Sequence, residues 1–135
     1  MSLVILYVAT VIVFLVIDAI ALSRFIGPYF ESRLGDIMLD NIRVLPAAAF
    51  YLFYVGVLVW LVSWPVLRDG QGIAAVLLPA ALFGAAAYGT YEFTNYATLA
   101  RWHWSMVVLD VSWGAVLSAG SAAAGLAITR AFGSG

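Results

Sequence analysis

The sequence predicts an all-α integral membrane protein, a four-transmembrane-helix bundle with an interfacial segment between helices 1 and 2. Hydrophobic residues make up 65% of the chain and charged residues 10%, whereas soluble domains carry roughly 25% charge. Mean hydropathy is +1.06. The apolar residues form four runs of about 20 residues, the length that crosses a bilayer as a helix. We therefore expect a single membrane domain over residues 1–135.

The first span is predicted over residues 3–23, because only Thr10 and Asp18 interrupt this apolar run. The connection over residues 24–45 alternates charged side chains with aromatic and aliphatic ones. Such mixed composition is typical of a segment that lies along the membrane interface.

The second span is predicted over residues 46–67, with Pro46 in its first turn, where the missing amide hydrogen costs no hydrogen bond. Residues 68–72 then contain two glycines and two charged residues, a composition typical of a tight turn. The second and third helices are therefore expected to be antiparallel neighbours.

The third span is predicted over residues 73–99 and the fourth over residues 105–129. The short turn between them, residues 100–104, carries an arginine, two tryptophans and His103. This composition is typical of the lipid headgroup region.

The residue types that are absent exclude several classes of site. The chain has no cysteine and no lysine, and its single histidine excludes a bis-histidine haem. All six basic residues are arginines and the net charge is −1, so no basic patch is present for nucleic acid. A metal site of Asp18, Glu92, Asp110 and His103 is chemically possible, but no ligand spacing indicates one. We therefore expect no cofactor, no metal and no nucleic-acid partner.

Three carboxylic acids are predicted at one depth in the bilayer. Asp18 lies six residues before Arg24, while Glu92 and Asp110 lie nine residues before and after Arg101. At 1.5 Å per residue, all three are about 9–14 Å from the same interface. A carboxylate in hydrocarbon costs at least ~2.5 kcal/mol. We interpret Glu92 and Asp110 as a candidate acid–base pair, with Asp18 as a third catalytic candidate; structural ion pairs and hydrogen bonds are the alternative.

A polar face on the third helix and matching residues on its neighbours predict an internal pocket that opens toward the long connection. The candidate ligand-binding residues are Tyr88, Tyr91, Asn95, Thr98 and Trp113 within the spans, and Arg24, Arg101 and His103 at the mouth. Tyr51 and Tyr54 lie at comparable depth on the second helix, and Arg43 is a further candidate for the mouth.

Small residues at four-residue spacing predict close helix packing rather than ligand contact. They are Gly114, Ser118 and Ala122 on the fourth helix, and Ala81, Ala85 and Gly89 on the third.

Three stretches resemble a bacterial membrane protein family, domain of unknown function 2177. They are VFLVIDAIAL over residues 13–22, YGTYEFTNYATL over residues 88–99 and LDVSWGAVL over residues 109–117. The resemblance covers nearly the whole chain and implies the four-crossing fold, but no activity. The family's positions in this chain would be Asp18, Glu92, Asn95, Thr98, Asp110, Trp113 and Gly114.

Three functions are compatible with these features. In the first, the pocket binds or processes a lipid or another amphipathic small molecule, with the carboxyl groups as general acid and base. In the second, the chain is an accessory subunit of a larger respiratory or photosynthetic membrane complex. In the third, it transports protons or cations as an oligomer. Membrane lipid is the expected partner in the first case, and a membrane protein or a second copy in the others.

The distribution of arginine predicts the orientation in the membrane. Four arginines lie in the two connections at residues 24–45 and 100–104, against two on the side of the termini. The positive-inside rule then makes those two connections cytoplasmic, and we expect the bacterial cytoplasmic (inner) membrane.

Overall fold

The computed structural model describes residues 2–26, 28, 29, 32 and 44–133, and all regular structure within these residues is helical. Four helices are long and apolar enough to cross a membrane. The predicted all-α membrane class with four spanning helices is therefore confirmed. The helices are α1 (Ser2–Ile26), α2 (from Val44 to Arg68), α3 (Ala74–Thr98) and α4 (Trp104–Gly133).

Two of the helices contain a turn of π-helix. In α1 the α-helix Ser2–Ala21 is followed by a π-helical turn at Leu22–Ile26, and in α2 the turn at Val59–Ser63 separates Val44–Leu58 from Trp64–Arg68. A π-helical turn inserts an extra residue and changes the direction in which the following side chains point.

The predicted interfacial connection lies mostly outside the described residues, and Arg43 is among those not described. Two parts of it are described. Arg24 belongs to the last turn of α1 and is exposed. The Tyr29 hydroxyl shares a hydrogen bond with the Ser105 hydroxyl, which brings this part of the connection to the beginning of α4.

Close packing of α4 against α3 and α1 depends on glycine. A Cβ atom at Gly84 of α3 would lie 2.6 Å from the Ser118 hydroxyl and 2.8 Å from the Gly114 carbonyl carbon. A Cβ atom at Gly125 of α4 would lie 3.0 Å from the Cα atom of Thr10 in α1. Gly114, Ser118 and Ala122 are all buried inside the bundle. Small residues at these crossings let the helix backbones approach closely.

The two parts of helix α2 pack against different neighbours. Its first part, Val44–Leu58, contacts mainly α1, whereas its π-helical turn contacts α1, α3 and α4. The half of α2 that precedes the turn therefore leaves space beside α3. That half lies toward the long connection, hereafter the loop side.

An aromatic layer separates this space from the apolar core on the side of the termini. The Tyr54 ring stacks on Phe83 at 5.2 Å and contacts Phe14 at 5.6 Å between ring centroids. The Tyr54 and Ser118 hydroxyls share a hydrogen bond of 2.7 Å. Tyr54 thus ties α2 to α3, α1 and α4 at mid-depth.

Replacing Tyr54 with phenylalanine is expected to lower the free energy of unfolding by about 1 kcal/mol, the net value of one buried hydrogen bond. The ring contacts remain, so the loss reports the hydroxyl alone. Unfolding in mixed micelles by titration with sodium dodecyl sulfate measures it. Tyr96→Phe is the control, because Tyr96 is exposed and its hydroxyl has no hydrogen-bond partner among the described residues. Equal losses in both variants would contradict the prediction.

Candidate functional site

The space beside α2 is a partly open cavity of about 550 Å³ in the loop-side half of the bundle. All four helices contribute to this cavity, which we call the cleft. Its lining residues are Asp18, Leu22 and Ile26 from α1, Ala47, Phe50 and Tyr51 from α2, Ala87, Tyr88 and Tyr91 from α3, and Asp110 and Trp113 from α4.

The cleft is closed at the end that faces the termini, here called below, and is open at its side. Below it, Phe14 contacts the Tyr51 ring at 5.7 Å, and Tyr54 contacts the Tyr88 ring at 6.3 Å between centroids. At its rim, Leu22, Phe50 and Tyr91 are exposed, Tyr91 by 56%. These residues belong to helices long and apolar enough to cross a membrane. The cleft is thus open at the side of the bundle, between such helices.

Asp18 is one of the two carboxyl groups that line the cleft. It is 4% exposed, and its Oδ1 atom accepts a hydrogen bond of 3.2 Å from Trp113 Nε1. The Tyr51 hydroxyl lies close enough to interact with the same carboxyl group. The hydrogen bond from Trp113 of α4 therefore orients Asp18, with the Tyr51 hydroxyl of α2 nearby.

Glu92 lies behind the wall of the cleft rather than in it. Its side chain is fully buried, and Oε1 accepts a hydrogen bond of 2.8 Å from Trp102 Nε1. Oε2 has no hydrogen-bond donor among the described residues. The Asp110 carboxyl group, which lines the cleft, interacts with Glu92 and electrostatically with Asp18. Asp110 therefore interacts both with Asp18, which lines the cleft, and with Glu92, which is buried behind the wall.

No arginine of the described segments forms an ion pair with Asp18, Glu92 or Asp110. The ion pair that these segments contain is Arg68 with Asp69, at the opposite end of the bundle. Asp110 and Glu92 thus form an acidic pair in a medium of low dielectric constant, with Asp110 on the side of the cleft.

The other predicted site residues lie either at the edge of the cleft or outside it. Asn95 interacts with the Tyr91 hydroxyl at the edge of the cleft. Thr98 is exposed and donates a hydrogen bond of 2.8 Å to the Thr94 carbonyl of its own helix. The predicted mouth residues Arg24, Arg101 and His103 are exposed and do not line the cleft. Across the described ranges, no three His, Asp or Glu side chains form a group that could hold a metal ion.

Two features of the site were not predicted from the sequence. Trp102 belongs to a turn whose composition predicted a position at the lipid headgroups, yet it is 7% exposed and donates to Glu92. Leu22 and Ile26 line the cleft because α1 continues into a π-helical turn. The position of Trp102 in a short hairpin that follows a buried acid was a usable signal, whereas nothing in the sequence indicated the π-helical turn.

A family model described as "Predicted membrane protein (DUF2177)" matches residues 3–127. Neither a curated protein nor a solved structure matches the chain.

Proposed function

The chain belongs to the DUF2177 family of predicted membrane proteins, and we propose that it binds a lipid or another amphipathic small molecule in the cleft and processes it there. The observation that carries this proposal is a cavity of about 550 Å³ between membrane-spanning helices. Pockets for small molecules are typically ~300–1,000 Å³, with mostly apolar walls and a few polar groups. The cleft has this composition.

The arrangement of the cleft suits an amphipathic ligand. Its rim of Leu22, Phe50 and Tyr91 faces lipid, which lets an apolar chain remain partly in the bilayer. Asp18 and Asp110 lie in the wall, where they receive the polar end of the ligand. The ligand therefore enters sideways from the membrane.

The carboxyl pair supplies acid–base chemistry. Asp110 lines the cleft and is the residue that exchanges a proton with the ligand. Glu92, whose buried carboxyl group interacts with that of Asp110, is the second member of the acid–base pair. Asn95 acts indirectly, by orienting Tyr91. Proton transfer by a positioned carboxyl group is the usual basis of general acid–base catalysis.

We prefer this function to the two alternatives for physical reasons. In an accessory subunit the small residues at four-residue spacing would contact partner helices, but Gly114, Ser118 and Ala122 are buried inside this bundle. Transport needs a continuous path, but Tyr54 and Phe14 fill the space below the cleft. The arginine distribution supports a cytoplasmic loop side, which would place the cleft in the inner leaflet of a bacterial inner membrane.

A bulky side chain introduced into the cleft tests the proposed binding of an amphipathic ligand. The probe is a twelve-carbon alcohol that carries a photoreactive diazirine next to its hydroxyl end, added to the protein in nanodiscs of phosphatidylcholine. We expect labelling of cleft residues that saturates, and that falls at least fivefold in Ala87→Trp, because Ala87 lines the cleft. Mass spectrometry of the labelled peptides measures it.

Ala86→Trp is the matched control, since Ala86 is exposed on the same turn of α3 and is not part of the lining. It should label like the wild type. Labelling that rises without saturation and spreads evenly over lipid-facing residues would contradict the proposal. So would equal labelling of the cleft in the two tryptophan variants.

A further inference from the structure

We propose that the polar end of the ligand is a cationic amine, held between Asp18 and Asp110 and surrounded by the aromatic residues of the cleft. This inference rests on the proposed binding function and specifies the class of ligand. It follows from the charge of the cleft wall, from its aromatic lining and from the fixed position of the two acids.

The charges that line the cleft favour a ligand with a positive charge. The ionisable side chains that line the cleft are two acids and three tyrosines, and no arginine or histidine of the described residues lines it. Arg24 and Arg101, which the sequence placed at the mouth of the pocket, are exposed and are not among the lining residues. A phosphate group would enter the cleft without a described cation to neutralise it. An ammonium group would instead neutralise carboxylates that are costly to keep charged in hydrocarbon.

The aromatic lining also favours a cation. Phe50, Tyr51, Tyr88, Tyr91 and Trp113 all line the cleft. The faces of aromatic rings carry partial negative charge and attract ammonium groups, more strongly when water is excluded. A neutral hydroxyl group gains nothing comparable from these rings.

The two acids are held in place before a ligand arrives. Trp113 Nε1 donates to Asp18 over 3.2 Å, and the Tyr51 hydroxyl lies beside the same carboxyl group. Asp110 lines the cleft beside this group, with the buried Glu92 carboxyl group behind it.

Competition against the diazirine alcohol tests the inference. The competitors share a twelve-carbon chain and differ in the head group: dodecylamine at pH 7, dodecanol and dodecyl phosphate, each expressed as a mole fraction of the bilayer. We expect dodecylamine to halve the labelling of the cleft at a mole fraction at least tenfold lower than either of the other two. In the double variant Asp18→Asn, Asp110→Asn, this preference should disappear, so that dodecylamine and dodecanol halve the remaining labelling at equal mole fractions.

The single variants Asp110→Asn and Asp110→Glu keep the test valid where the double variant folds poorly. The first should reduce the preference for the amine at least threefold, and the second should retain it. Equal or better competition by dodecyl phosphate would overturn the inference, as would an amine preference that survives neutralisation of both acids. In either case saturable labelling by the alcohol would leave the binding function standing. Absence of saturable labelling in the wild type would overturn the binding function and the amine inference together.

Discussion

Replacing Trp102 with phenylalanine is expected to lower the free energy of unfolding by about 2–3 kcal/mol, the upper range for a hydrogen bond to a charged group. The indole Nε1 atom is the one described donor to Glu92, whose side chain is fully buried. Without this donor, both carboxyl oxygens of Glu92 lack a hydrogen-bond donor among the described residues. When a buried acid loses its partner, the loss of free energy of unfolding is larger than the stabilisation that the intact pair provided.

The size of this effect should depend on the charge of Glu92. In a Glu92→Gln background we expect Trp102→Phe to cost only about 1 kcal/mol, since a neutral amide is less costly to leave unpaired. Unfolding by sodium dodecyl sulfate in mixed micelles, applied to the wild type, both single variants and the double variant, measures the coupling between the two residues.

Trp104→Phe is the matched control, because Trp104 is two residues away and exposed. It should change the free energy of unfolding by no more than about 0.5 kcal/mol, as surface substitutions usually do. A similar loss in the two tryptophan variants, or the same cost of Trp102→Phe with glutamate and with glutamine at position 92, would contradict a direct role of the indole–carboxyl bond.

Replacing Gly84 with alanine is expected to lower the free energy of unfolding by about 3 kcal/mol, the upper range for overpacking a core. The new methyl group would lie 2.8 Å from the Gly114 carbonyl carbon and 2.6 Å from Ser118 Oγ. A side chain can rotate away from such a contact, but a helix backbone cannot. Helices α3 and α4 would have to separate, and their contact is the most extensive in the bundle.

Gly120→Ala provides the control for this substitution. Gly120 lies on α4, and a Cβ atom there meets nothing within 4 Å. Alanine is the better helix former by about 1 kcal/mol, so this variant should be as stable as the wild type or more stable. The same unfolding titration measures both variants. A loss below about 0.5 kcal/mol for Gly84→Ala would show that α3 and α4 can move apart without cost, against the packing described for them.

The four spanning helices could be predicted from the sequence because composition and the length of apolar runs determine them. A run of about 20 apolar residues is stable in a bilayer only when its backbone is hydrogen-bonded within a helix. The short turn after Arg68 also predicted that α2 and α3 are antiparallel neighbours. None of this depends on how the helices pack.

The candidate site was predictable in part. Five of the predicted residues line one cleft, namely Asp18, Tyr88, Tyr91, Asp110 and Trp113. Glu92 interacts with Asp110 but lies behind the wall, and Thr98, Arg24, Arg101 and His103 lie outside the cleft. Helical periodicity gives the face of a helix on which a residue lies. It does not give the neighbouring helix that this face meets.

The sequence by itself determined four apolar spans, and it predicted Asp18, Glu92 and Asp110 at similar depth because the rise of 1.5 Å per residue converts sequence position into depth. Only the tertiary structure decided that two of these acids line a cleft while the third is buried beneath Trp102. The physical reason is that the cleft forms where the first half of α2 is not packed against α3. The aromatic layer at Tyr54 bounds the cleft at one end, and the π-helical turn at Leu22–Ile26 bounds it at the other. That separation depends on contacts between helices distant in sequence, which no single helix encodes.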